Sequence, residues 1–473
     1  MTISRTSKQF TSGFISFYLF LLIAFVSPRG IATADDSLSL NAAISLPDWL
    51  SITGEHRSRY ETLNSQFRAN SSGSDQILSL RTLVQTELHL NKNFQIKAEL
   101  QDSRAELADQ GSRMNNTIVN TAELLEAHFN WKTKGLFKNG IQSELRGGRF
   151  TIDLGKRRLV ARNRFRNVIQ GYTGIDWKLT VKNGSQIRTL FTLPVTRQPG
   201  DTASLLENEA KFDKETTDQI LWGIFYSNIP LPCNNKAEIY IFGLHEDDSP
   251  NFSTRNRELY TPGFRIYRSP QKGKFDYELE SVFQFGTSRA SASASDTKDL
   301  DHIAFFDHIE SGYTFDTKWS PRFYLEYDFA SGDGSPNDET NGRFDSLFGP
   351  NVADFGPTSI YTAFTRSNLS SPGIRLQVQP DENLKTYLSY RAFWLASATD
   401  TWSGSSGLRD ATGNSGTFLG QQLFLRMKWK THPNVKIESG IAYRIDGDFQ
   451  GTAPNSPNEG NTTYSYAQAT LSF

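Results

Sequence analysis

The chain has 473 residues, with 50 Lys and Arg against 51 Asp and Glu; 37% of residues are apolar and 12% aromatic. Such a balance of charge excludes a protein that grips nucleic acid through bulk positive potential. The single cysteine, Cys233, excludes an intramolecular disulfide, so stability must come from elsewhere.

The first 34 residues read as an export signal. Arg5 and Lys8 form a basic start, 14–26 is an apolar run, and Ala32-Thr33-Ala34 gives the small-x-small pattern of a signal-peptidase site ahead of Asp35-Asp36. As a helix that run rises about 20 Å, short of the ~30 Å hydrocarbon core, so a transmembrane anchor is the poorer reading. Loss of Arg5, Lys8 and Arg29 would leave 47 basic against 51 acidic residues. The expected division is a secretory signal over 1–34 and one domain over 35–473.

Beyond residue 34 no stretch is apolar enough to cross a membrane as a helix, and the dominant period is two. Along 435–445 one face reads Val, Ile, Ser, Ile, Tyr, Ile and the other Lys, Glu, Gly, Ala, Arg. The segments 94–100, 322–329 and 423–429 alternate in the same way. Strands are expected over 49–61, 78–90, 93–104, 122–131, 141–153, 170–181, 184–195, 219–229 and 236–246. They continue over 255–268, 274–287, 302–316, 320–330, 360–379, 383–397, 417–430, 434–447 and 462–473, about 18 in all, with Ser370-Ser371-Pro372-Gly373 interrupting one of them.

The connections sort by length. Short ones such as Asn91-Lys92-Asn93 and Lys182-Asn183-Gly184 alternate along the chain with long ones such as 62–77, 105–121, 196–218 and 331–359. A β-sandwich has no reason to sort its loops in this way, whereas a transmembrane barrel has short turns on one side and long loops on the other. The strand ending on Phe473 adds to this pattern. The fold class expected is all-β: a transmembrane antiparallel barrel of about 18 strands in the bacterial outer membrane, with short periplasmic turns and long extracellular loops.

Residues 147–167 carry six arginines and one lysine against one aspartate. In a strand ending near Leu154, Phe150 and Ile152 belong on the lipid side, which turns Arg149 into the lumen; arginine facing lipid near the midplane would cost about 2–4 kcal/mol. Arg157, Arg158, Arg162, Arg164 and Arg166 follow in a connection too rich in Leu159, Val160, Phe165 and Val168 to be freely solvated. It is expected to fold into or over the pore, against the alternatives of a solvated charge run or a site for lipopolysaccharide phosphates. Arg57, Arg59, Arg81, Arg375, Arg391 and Arg444 sit in the polar phase of alternating strands, where they line the channel or pair with Glu55, Glu87 or Glu438.

Asp333, Asp338 and Glu339 form a weak candidate for structural Ca²⁺ in an acidic loop without EF-hand spacing, and a solvated loop is the stronger reading. No other cofactor is expected. His56, His89, His128, His245, His302, His308 and His432 are scattered and Cys233 lies in a turn, so no nucleophile with a base partner is recognisable and no enzyme is expected.

Gly54-Glu55-His56-Arg57-Ser58-Arg59-Tyr60-Glu61, Leu80-Arg81-Thr82-Leu83, Leu145-Arg146-Gly147-Gly148-Arg149-Phe150 and Arg158-Leu159-Val160-Ala161-Arg162 follow one another in an informative order. With Phe344-Asp345-Ser346-Leu347-Phe348, Tyr390-Arg391-Ala392-Phe393-Trp394, Gly420-Gln421-Gln422-Leu423 and Gly447-Asp448-Phe449, the sequence resembles the alginate export family of outer-membrane porins. The likeness runs through most of the chain after residue 34. Phe150 stands where that family usually carries Gln, and further arginines follow Arg162 in place of an acidic or amide residue. The resemblance implies a monomeric 18-stranded barrel whose arginine- and lysine-lined lumen conducts a polyuronate.

The function expected is a channel for anionic polysaccharide or oligosaccharide, lined by Arg57, Arg59, Arg81, Arg149, Arg158, Arg162, Arg166, Arg391 and Arg444. The alternative is a general or small-solute uptake porin. Expected partners are the saccharide, outer-membrane lipid and lipopolysaccharide, and periplasmic secretion components, with no nucleic acid.

Overall fold

The computed structural model describes residues 39–109, 112–136, 140–250 and 252–473. The signal expected over 1–34 lies outside the described residues.

Eighteen long strands make one closed sheet. They are β1 (Leu50–Asn64), β2 (Asp75–His89), β3 (Phe94–Glu106), β4 (Asn120–Lys134), β5 (Gln142–Phe150), β6 (Tyr172–Thr180), β7 (Gln186–Pro194), β8 (Gln219–Leu231) and β9 (Asn235–Glu246). The second half comprises β10 (Glu258–Arg268), β11 (Lys274–Ser288), β12 (Leu300–Thr314), β13 (Arg322–Ala330), β14 (Leu369–Asp381), β15 (Leu384–Trp394), β16 (Phe418–His432), β17 (Val435–Asp446) and β18 (Thr462–Ser472). Each pairs antiparallel with the next, and β1 pairs with β18 from Glu55↔Ser472 to Asn64↔Thr463, which closes the barrel and leaves no free edge. The short piece Thr340–Asn341 runs parallel beside β12.

The alternation seen in the sequence is inverted relative to a soluble sheet. In β13 the side chains of Tyr324, Glu326 and Asp328 are buried inside, while Phe323, Leu325 and Tyr327 are exposed outside. Lipid solvates the apolar outer face, so the charged positions must point inward and find partners there. Eight short turns lie at one end of the barrel and nine longer loops at the other.

Two loops turn back into the lumen. Residues 151–171 bring Ile152, Leu159 and Val160 against Phe150, Tyr172, Tyr240 and Phe242 on the inner wall. Residues 331–368 bring Phe355, Ile360, Tyr361 and Phe364 against Phe67, Phe393 and Trp402 on the opposite side. The strand expected over 360–379 therefore starts only at Leu369. Residues 360–368 belong to the inward loop, because their apolar side chains pack inside the barrel and not on the lipid face. Ser370 to Gly373 are no interruption, since Pro372 keeps its register opposite Tyr327.

Candidate functional site

The loop 151–171 is held by side chains from the wall. Arg57 Nη1 donates to the carbonyls of Arg164 (2.9 Å) and Phe165 (3.2 Å), and its Nη2 to Arg166 O (3.1 Å) and Asn167 Oδ1 (2.9 Å). Arg81 Nη1 reaches the carbonyls of Arg164 and Arg166, both at 3.1 Å, while its Nη2 donates to Glu55 at 2.9 Å. Arg59 donates to Glu61 (2.8 Å) and to Phe165 O (2.5 Å), with its guanidinium 4.3 Å from the Phe165 ring. From the loop side, the buried Asn167 amide donates to the carbonyls of Leu80, Arg104 and Ile118. A loop folded away from water exposes carbonyls that need donors, and the wall arginines supply them.

Other arginines of the loop are neutralised by carboxylates. Arg158 Nη1 lies 2.6 Å from Glu278 and 2.5 Å from Glu280, and its Nε is 3.2 Å from Asp354. Arg162 contacts both oxygens of Glu99 at 2.9 Å and Glu126 at 3.0 Å. Asp354 also binds Arg366, whose Nη1 donates to Arg158 O at 3.2 Å, so the two inward loops are stitched to each other. On the far wall Arg391 pairs with Asp328 at 2.6 Å and Arg444 with Asp446 at 2.7 Å.

Arg149 is the correction among the expected residues. Phe150 pairs with Tyr172 and is buried inside the barrel, as is Ile152. Arg149 pairs with Thr173, which shares the outer face of the sheet with the exposed Ile175 and Phe191. It points outward at the loop end of β5 and is neutralised by Glu123 (2.6 Å) and by Glu215 (2.7 Å) from loop 195–218. Assigning aromatic residues to lipid fails here because the inward loop makes this stretch of the lumen apolar.

Arg57 is taken up by loop carbonyls and Asn167, and Arg166 is the other expected residue without a carboxylate among the described residues. It faces a cavity of about 390 Å³ between the inward loops and the loop ends of β11 and β12, lined also by Arg197, Arg255, Arg257 and Arg343. Arg257 is held by Glu246 and Asp345, each at 2.6 Å, and Arg343 is bound by Asp400. Arg166, Arg197 and Arg255 form no salt bridge with any described residue. Burial, with Arg197 nearby, lowers the Arg166 pKa to about 10. Burial also lowers Arg255 despite Asp345, and Arg197 despite Asp213. Three cations destabilised by burial in one cavity make a site that an anion would relieve. Phe344, Phe348 and Trp402 supply apolar surface beside them.

Arg197 and Arg343 escaped the sequence reading because they sit in loops, where no period assigns a face; Arg255 and Arg257 fell in the strand expected over 255–268, which starts only at Glu258. Only the fold brings residues 166, 197 and 255 together. Of the acidic trio, Asp338 accepts from Thr340 and Glu339 lies 3.7 Å from Lys298. Among the described residues no group of three His, Cys, Asp or Glu side chains is placed to hold a metal ion.

Residues 48–462 match the family described as alginate export. Among solved structures the chain is similar to OccD3 (OpdP) of Pseudomonas aeruginosa, with a TM-score of 0.55 at 11% identity over 90% of this chain and 91% of that one. It is similar also to OccAB1 of Acinetobacter baumannii, with a TM-score of 0.56 at 14% identity over 90% and 97%. For the outer membrane protein opdK of Pseudomonas aeruginosa the TM-score is 0.54 at 10% identity over 89% and 99%. No curated protein sequence matches significantly.

Proposed function

The chain belongs to the alginate export family, and from that premise we propose that it carries an anionic, carboxylate-bearing saccharide through an arginine-lined lumen. It is an outer-membrane β-barrel channel. The observation that supports the substrate class is the cavity at Arg166, Arg197 and Arg255, where three guanidiniums lack a carboxylate partner among the described residues. Guanidinium offers a planar fork to each carboxylate of a uronate, and several weak contacts favour passage over capture. Most of the other arginines expected to meet the permeant instead hold the inward loops or pair with wall carboxylates.

The test is ionic selectivity in a planar bilayer. The protein should pass chloride in preference to potassium, since fixed positive charge raises the local anion concentration, and added oligouronate should block the current less at high salt. Replacing Arg166, Arg197 and Arg255 by Gln together should weaken the block at least about tenfold, as expected for losing charge-assisted hydrogen bonds. Arg149→Gln, on the outer face, should leave it unchanged. Cation selectivity in the unaltered protein would reject this reading.

A second reading, a porin for small solutes, is favoured by the cavity's size: about 390 Å³ suits a small molecule better than several units of a polymer at once. Stronger block by a neutral oligosaccharide than by a charged one would select it.

A further inference from the structure

Strands β5, β6 and β7 have nine residues each and stand between β4, with 15, and β8, with 13. Nine residues at the tilt of a barrel strand rise about 23 Å, no more than the apolar band of the membrane. The cause is the inward loop, for which the chain leaves the wall after Phe150 and rejoins it at Tyr172. β5 is paired with β4 only as far as Ala127↔Arg149, while β4 runs on to Asn120 beside β3. The wall therefore has a notch at the loop end of β5 to β7, where the edge of β4 over 120–126 has no strand partner on that side.

Loop 195–218 fills the notch as a strap that passes from inside to outside. Near its start Arg197 lines the cavity, and near its end Glu215 binds Arg149 (2.7 Å) and accepts from Thr173 (2.6 Å) on the outer face. Between them the Asn208 side chain exchanges two hydrogen bonds of 2.9 Å with the Ala105 backbone. Buried Glu123 accepts from both Arg149 Nη1 (2.6 Å) and Asp213 N (2.7 Å). From Thr196 to Glu215 every backbone-to-backbone hydrogen bond among the described residues stays within the strap. The sheet on either side is joined by backbone ladders, whereas this part of the wall is joined by side-chain hydrogen bonds, with Leu205 as an apolar anchor.

From this geometry we propose that the strap is a lateral lid: when it lifts, the cavity opens sideways onto the outer leaflet for an anion that carries an apolar chain. The proposal rests on the anion site of the cavity and adds a route that the mouths of the barrel do not supply. The head of such an amphiphile meets Arg166 and Arg197 inside, and departure of Glu215 frees Arg149 of one of its two carboxylates. Its chain lies along the exposed Leu124, Ile175 and Phe191 of the lipid face, and the strap itself exposes Phe212. Because the notch lies at the top of the apolar band, the charged head stays at the headgroup level and crosses no hydrocarbon. Each side-chain hydrogen bond exchanged for one to water costs little, so a few such contacts make a lid where a backbone ladder makes a wall.

The test records chloride current through the full-length barrel in a planar bilayer, with Thr173→Cys and Glu215→Cys in a Cys233→Ser background. A short bis-methanethiosulfonate locks the two cysteines together, and dithiothreitol releases them. The probe is dodecyl glucuronide dissolved in the bilayer. It should block the unaltered and the released protein, and locking should weaken that block at least about tenfold, because the lock removes the open state. Oligouronate added from solution should block the locked and the unaltered protein alike, so a failure of the permeation reading shows as absence of this block from both. A difference between them would place the effect of the strap in the cavity itself and overturn the lateral route. Equal block of locked and released protein by dodecyl glucuronide would bring the probe through a mouth and overturn the lid, as would its failure to block either. Equal block by the neutral dodecyl maltoside would assign the effect to the bilayer and overturn it too. Each form is first checked for heat-modifiable mobility, so only closed barrels are compared.

Discussion

Whether an arginine serves the channel or the scaffold is decided by its nearest oxygen, which sequence periodicity does not reveal. Arg57, Arg59 and Arg81 were legible as luminal because they alternate with lipid-facing positions, yet their guanidiniums are bound to loop carbonyls, Glu61 and Glu55. Arg149 was misread by the same rule. Arg197, which the period could not place, has one nearby acidic group that titrates in an accessible range. Asp213 accepts from Asn120 Nδ2 (2.6 Å) and Gln198 N (2.7 Å), and its own amide donates to Glu123 (2.7 Å). Burial, aided by Glu123, raises its pKa to about 7. A carboxyl raised in the folded state favours folding when protonated, so its stabilising contribution is full below the ordinary carboxylate pKa and fades as pH rises through about 7. Protonation also removes the negative charge that offsets Arg197. Block by an oligouronate should therefore be tighter at pH 6 than at pH 8, and Asp213→Asn should hold the tighter value at both. Tighter block at pH 8, or an undiminished pH dependence in the variant, would assign the titration to another group.

At the scale of elements, the strands were legible and the inward loops only in part. Alternation of apolar and polar residues fixes which segments cross the lipid, because the bilayer enforces it on every strand. Loop 151–171 betrayed itself by mixing five arginines with buried apolar residues. Residues 360–368 did not, since an apolar segment packed inside a barrel looks like one packed against lipid. Among the contacts that hold 151–171 in place, the pair Arg57 and Arg81 share the Arg164 and Arg166 carbonyls. Replacing both by Met keeps the stems and removes the donors. Buried carbonyls without donors cost about 1–3 kcal/mol each, enough to favour release of the loop. Amide hydrogen exchange should then speed up across 162–169 while the strands stay protected and heat-modifiable mobility persists. Unchanged exchange there would show that the remaining contacts, from Arg59, the Asn167 amide and the buried Phe165 and Val168, suffice without the pair.

For the molecule as a whole, stability rests on closing the sheet, and the seam has a specific fit. Gly54 and Phe473 exchange backbone hydrogen bonds of 2.8 and 3.0 Å, and a Cβ at Gly54 would run into the Phe473 ring. The glycine at 54 is thus explained by the close approach of an aromatic from the strand that closes the barrel, not by its own dihedral angles. An open seam would expose unpaired amide and carbonyl groups of β1 and β18 to lipid at a cost of several kcal/mol each, so closure is expected to be nearly all-or-none. Gly54→Val should push the ring aside and lower the fraction of protein that migrates as a closed barrel in unboiled SDS gels. Phe473→Ala combined with Gly54→Val should recover part of that fraction, because the second change removes the collision. If the double variant closes no better than Gly54→Val alone, the seam depends on the aromatic ring itself and not on the space it requires.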